Sequence, residues 1–187
     1  SIPIQTDLTD KPIQKKWWLL SFIVIFVLLL GGNLLSARNK EKLLVNSAIT
    51  LIKQNKEYTN NFANYAFDDA YLKSTSTSLQ VIQKIDENFP EVVVIQQDSI
   101  DNRPIFLKFG SYYSQPDDAH PLAKQDFIFT TGKDERTYLE NVFSGKTSEY
   151  LFKARKGNYE LYYPVAVNNK RYVMYFSDFQ RYGKIGS

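Results

Sequence analysis

The chain has 187 residues, with 23 Lys/Arg against 20 Asp/Glu, a formal net charge of +3, no cysteine and a single histidine. That balance offers no dense basic face for nucleic acid. Without thiols, and with His120 alone, disulfides and thiolate metal sites are excluded and zinc or haem would find almost no ligands, so no cofactor is expected.

Residues 1–16 (SIPIQTDLTDKPIQKK) are polar, lack periodicity and read as a short flexible tail. From Trp17 to Ala37 the chain is uncharged and mostly apolar, with Lys15 and Lys16 before it and Arg38 after it. A helix of about 20 residues spans a bilayer core, and Trp17 and Trp18 suit the membrane–water boundary, where an apolar ring with one N–H donor sits well. The segment is long for a secretory signal and its small-residue cleavage pattern is poor, so an uncleaved anchor is expected. Loss of an initiator Met before Ser1 would make Ser1 the natural N-terminus. Basic residues flank both ends almost equally and orient the span little. A short tail, one anchor and one larger domain is the usual plan for export. The tail is therefore expected in the cytoplasm and residues beyond 37 outside it, in the periplasm if the source is a Gram-negative bacterium.

Beyond the anchor the net charge is only +2, since Lys11, Lys15, Lys16, Asp7 and Asp10 lie before it. About 150 residues remain, enough for one core. Leu44, Ala48, Leu51, Asn55, Tyr58, Phe62, Tyr65, Asp69 and Leu72 recur at alternating steps of four and three, predicting a long membrane-proximal helix over 38–73. The stripe would form a dimer stalk or, better given Asn55 and Asp69, pack on the chain's own sheet. The Ser74–Ser78 cluster is expected to break this helix and cap a second one, with Val81, Ile82, Ile85 and Phe89 buried and Pro90 as its stop. The β-branched run Val92–Ile95 reads as a buried strand, residues 98–102 as a turn and Pro104–Gly110 as a partner strand. Residues 111–125 form a long loop. Thr131 is expected to cap a helix over Asp134–Ser144 that stops at Gly145. Strands are predicted over Glu149–Ala154, Tyr159–Val167 and Arg171–Phe179, the last two joined by an Asn168–Asn169 hairpin. The fold class is α+β, with helices gathered on one side of a five-stranded antiparallel sheet.

The passages ENFPEVVVIQQDSIDNRPIFL and RTYLENVFSGKTSEYLFKARKGNYELYYPVAVNNKRYVMYFSDF resemble the extracytoplasmic PAS-like sensor family called Cache or PDC. The resemblance spans roughly 41–179 and implies a PAS/Cache-like domain over 74–187. It also implies a ligand pocket between the sheet and the loop-and-helix layer covering it. Asp178 matches the acidic residue that holds a ligand amine in amino-acid-binding members, with Tyr163 and Tyr150 as further pocket candidates. The Arg-x-Trp carboxylate signature of those members has no counterpart; Arg136-Thr137-Tyr138 sits on the predicted helix instead. No output module is expected, since Ser187 lies eight residues past the last predicted strand.

Asp117, Asp118 and His120 read as an exposed acidic loop, because a metal or acid–base site needs a second His or an organised carboxylate pair. With no nucleophile elbow and no phosphate loop, the chain is not expected to be an enzyme. Tyrosines crowd the terminal strands, and alternation turns some inward and some outward. We assign Tyr162, Tyr172 and Tyr175 to a protein interface, where a rigid ring with a hydroxyl binds at little entropic cost. The function expected is a non-catalytic, membrane-anchored accessory or scaffold subunit that binds a larger membrane or envelope complex through its PAS-like domain. A Cache-type sensor with a small-molecule ligand, signalling through a separate partner, is one alternative. An NTF2-like secretion-system scaffold is another. The partners expected are the lipid bilayer and proteins of the complex, with a homodimer left open by the heptad seam.

Overall fold

A computed structural model describes residues 35–84, 91–114, 116, 121–155 and 157–179. The chain divides into two compact units, Ser1–Asn39 and Lys40–Ser187. In the first, only residues 35–39 are described, and they are helical. The expected tail, and the expected anchor with Trp17 and Trp18 up to residue 34, lie outside the described residues. Among the described residues no helix is long and apolar enough to cross a membrane.

The fold is α+β. Three helices, α1 (35–54), α2 (Lys56–Ala63) and α3 (Asp69–Gln83), precede the hairpin β1 (Glu91–Ile100) and β2 (Arg103–Phe109). A 3-10 turn (Lys124–Phe127) and α4 (Lys133–Phe143) lead to β3 (Leu151–Arg155), β4 (Asn158–Val167) and β5 (Lys170–Phe179). The sheet order is β2-β1-β5-β4-β3, antiparallel throughout, so the first and last strands pair at its centre.

The single helix expected over 38–73 is three helices. Asn55 leaves helical geometry at φ −122° and ψ 51°, and its Nδ2 donates to the Leu51 carbonyl at 3.0 Å, closing α1. Asn prefers such local bonds to a helix interior. A second break follows α2, and Asp68 then caps α3, accepting from the Tyr71 N–H at 2.7 Å. The Ser/Thr cluster expected to break the helix instead lies inside α3. Thr77 and Ser78 donate back to the carbonyls of Lys73 and Ser74 at 2.8 and 2.9 Å, and Ser76 donates to the Ser111 carbonyl at 2.6 Å. These three hydroxyls are thus satisfied without ending the helix. Val81, expected inward, is exposed, while Ile82 is buried; Ile85, Phe89 and Pro90 lie outside the described residues.

Leu44, Ala48, Leu51, Phe62 and Leu72 of the heptad stripe are buried within the domain rather than offered along a stalk. They lie on one side of the sheet with Val92, Val94, Leu107, Tyr172, Met174 and Phe176. Phe62 meets Tyr172 edge-on, centroids 6.0 Å apart. The other side carries Val93, Ile95, Phe106, Tyr162 and Val173, packed against Leu139 and Val142 of α4. A run of five buried residues in β1, Val92 to Gln96, records this two-sided cover, since consecutive residues face opposite sides of the sheet and are buried together only where both faces are covered.

The β1–β2 and β4–β5 hairpins turn through left-handed backbone. Asp101 and Asn102 sit at φ 50° and 60°, Asn168 and Asn169 at 49° and 63°. Two consecutive positive φ values match the right-handed strand twist, and Asn and Asp tolerate them best after Gly. Helix α4 begins after Gly132 rather than Thr131 and makes no side-chain cap; Asp134 and Glu135 in its first turn complement the helix dipole. Gly145 stops it at φ 78°.

Candidate functional site

Asp178 stands near the end of β5, directly opposite Tyr159 in β4. Its carboxylate is already occupied. Lys40 of α1 brings Nζ to 2.7 Å from Asp178 Oδ2, and the same ammonium lies 6.0 Å from the Tyr159 ring centroid. An ammonium paired with one carboxylate and facing an aromatic ring is the environment an amine ligand would seek. Here the chain supplies the amine itself.

Tyr150 is tied to the neighbouring residue of α1. Its hydroxyl donates to Glu41 Oε1 at 3.0 Å, and that bond, with partial burial, raises the phenol above its ordinary value. Phe152 and Tyr159 stack beside this contact at an interplanar angle of 13°. Tyr163 is half-buried opposite Met174, and its hydroxyl makes no hydrogen bond among the described residues. The three pocket candidates therefore share the α1 side of the sheet. They do not line the expected space between the sheet and the loop-and-helix layer.

On the α4 side the residues assigned to an interface fill the core. Tyr162 and Tyr175 are cross-strand partners with ring centroids 4.8 Å apart, and Phe129, Tyr138, Phe143 and Leu151 close around them. The Tyr138 hydroxyl donates to the Glu149 carbonyl at 2.7 Å. Burial raises the phenols of Tyr138, Tyr162 and Tyr175. Tyr172 is fully buried on the opposite side, its hydroxyl beside Thr59 without a hydrogen bond of good geometry. With both sides covered, alternation leaves no outward tyrosine set: Tyr162 and Tyr172 are core, and Tyr175 is half-buried within it.

Two polar clusters went unnoticed in the sequence. Asp98 receives Lys124 Nζ at 2.8 Å on Oδ1 and the Tyr65 hydroxyl at 2.6 Å on Oδ2. Burial opposes its charge, but Lys124, Tyr65 and the Ser99 amide outweigh that and hold the carboxyl below its usual range. Deeper in, Gln96 Nε2 donates to the Phe62 carbonyl at 2.7 Å and to the Tyr71 hydroxyl at 3.1 Å. Burial pushes the Tyr71 phenol up to about 12. A glutamine at the end of a β-branched run was the available signal for the second cluster, because a buried amide must find partners.

A groove of about 530 Å³ runs along α1 between Leu43, Ser47, Thr50 and Gln54, with Ile82 at its floor. It shares no lining residue with Asp178, Tyr150 or Tyr163. Among the described residues, no group of three or more His, Asp or Glu could hold a metal ion; Asp117, Asp118 and His120 lie outside them.

No family model, curated protein or solved structure matches this chain.

Proposed function

We propose that the chain is a non-catalytic, membrane-anchored accessory or scaffold subunit that holds a PAS-like domain against a larger membrane or envelope complex. The observation that carries the reading is the Lys40–Asp178 pair. It fills the carboxylate that the Cache resemblance implies for a ligand amine, and the Tyr150 hydroxyl is likewise engaged, by Glu41. The apolar segment 17–37 supports the anchor. The element order, with a covering loop and helix between hairpin and meander, supports the PAS-like reading.

The sensor alternative draws on the same pair. A ligand amine that displaced Lys40 from Asp178 would act on α1, the helix next to the proposed anchor. The two readings separate on gentle extraction of the full-length protein from native membranes. A fixed-ratio partner set supports the subunit. A protein that emerges alone, and is stabilised by a primary amine in thermal unfolding, supports the sensor.

A further inference from the structure

The two edges of the sheet differ. On the β2 side the chain covers its own edge: Ile128 bridges Leu107, and the Phe129 N–H donates to the Phe106 carbonyl at 2.8 Å. On the other side, among the described residues, β3 pairs only with β4. Arg155 and Asn158 are register partners with two residues between them in sequence, a spacing at which the flanking pair exchanges both hydrogen bonds. Alternation then leaves Phe152 and Ala154 with N–H and C=O turned away from β4. Among the described residues no hydrogen bond reaches these outward groups.

An unpaired strand edge is a template for another strand, and proteins commonly guard it with lysine. Lys153 stands at the middle of β3, yet its ammonium is drawn into an ion pair with Glu135 of α4. It faces the helix rather than screening the edge. Residues 149–156 hold one acidic residue, Glu149, against Lys153, Arg155 and Lys156. Arg155 is exposed and enters no ion pair among the described residues. A second copy pairing antiparallel about Lys153 would set Arg155 against Leu151 and Glu149 against Gly157, so it would offer no carboxylate opposite Arg155. A strand carrying carboxylates at alternate positions is complementary.

We propose that the β3 edge receives an extended acidic–apolar segment of a partner protein as a sixth strand. This rests on the accessory-subunit reading and names the surface through which that subunit would dock. A strand the length of β3 is about 17 Å long. Main-chain bonds along it would provide affinity, and carboxylates near Arg155 would set register and charge preference.

The test uses the full-length protein in detergent and a labelled seven-residue peptide of alternating Glu and Val, followed by fluorescence anisotropy. A second peptide carries N-methyl groups on the amides that would pair with β3. The expected result is saturable binding of the first peptide, loss of at least about tenfold in affinity for the second, and a similar loss for Arg155→Glu. Amide exchange at Phe152 and Ala154 should slow on binding. Equal binding of both peptides, or no saturable binding up to roughly 1 mM, would overturn the proposal. The two layers fail separately. A native complex that survives both Arg155→Glu and Ala154→Pro removes the edge but leaves the subunit reading. The absence of any native partner removes the subunit reading itself.

Discussion

Lys40 and Asp178, 138 positions apart in sequence, meet at 2.7 Å and tie the first helix to the last strand. The pair is partly exposed, so its net worth is modest: a double-mutant cycle with Lys40→Met and Asp178→Asn should give a coupling of about 0.5–1 kcal/mol in urea unfolding. The coupling should shrink in 1 M salt, where screening extends over only about 3 Å. No measurable coupling at low salt would mean that the pair does not hold α1 to the sheet.

Asp98 makes a pH prediction. Its carboxyl is held below the ordinary value of 3.8 in the folded chain. A lowered folded pKa contributes stability above the unfolded pKa, and that stability disappears as pH falls through the folded one. Unfolding free energy should therefore decline on acidification below about pH 4, and Asp98→Asn should flatten that limb while lowering stability at neutral pH. An acid limb unchanged by the substitution would place the dependence on other carboxylates.

Buried polar groups in the helix-side core should respond in opposite directions. Tyr172→Phe removes a buried hydroxyl that lacks a good hydrogen bond, so it should be neutral or stabilising. Gln96→Leu removes the donor to the Phe62 carbonyl and the Tyr71 hydroxyl and should cost about 1–3 kcal/mol. Chemical denaturation of both variants decides it. A clear loss in Tyr172→Phe would show that the hydroxyl is paired after all.

At the β4–β5 hairpin, Asn169 occupies φ 63°. Asn169→Gly should be neutral or gain a few tenths of a kcal/mol, whereas Asn169→Val should lose at least about 1 kcal/mol, because a β-branched residue resists left-handed backbone. Equal stability of the two variants would contradict the turn geometry.

The strands were legible because their signals are local. The Val92–Ile95 run, the Asn168–Asn169 pair and Gly145 each carry their own backbone preference. The helical layer was less legible. A heptad count does not see Asn55 turning its amide onto Leu51, nor serines and threonines satisfied by carbonyls one turn back. The roles of the tyrosines depended on sheet order. Tyr162 and Tyr172 become core only once β1 and β5 pair at the centre and helices cover both sides. Asp178 stood out only through the resemblance to the Cache family, and its partner, Lys40, lies 138 positions away and carries no sequence signal for the contact.

The most direct test of the accessory-subunit reading is the mass and composition of the full-length protein after gentle extraction from native membranes. Native mass spectrometry should find it in the membrane fraction, bound in fixed ratio to other proteins. Recovery from the soluble fraction, or as a lone monomer or homodimer, would contradict the account.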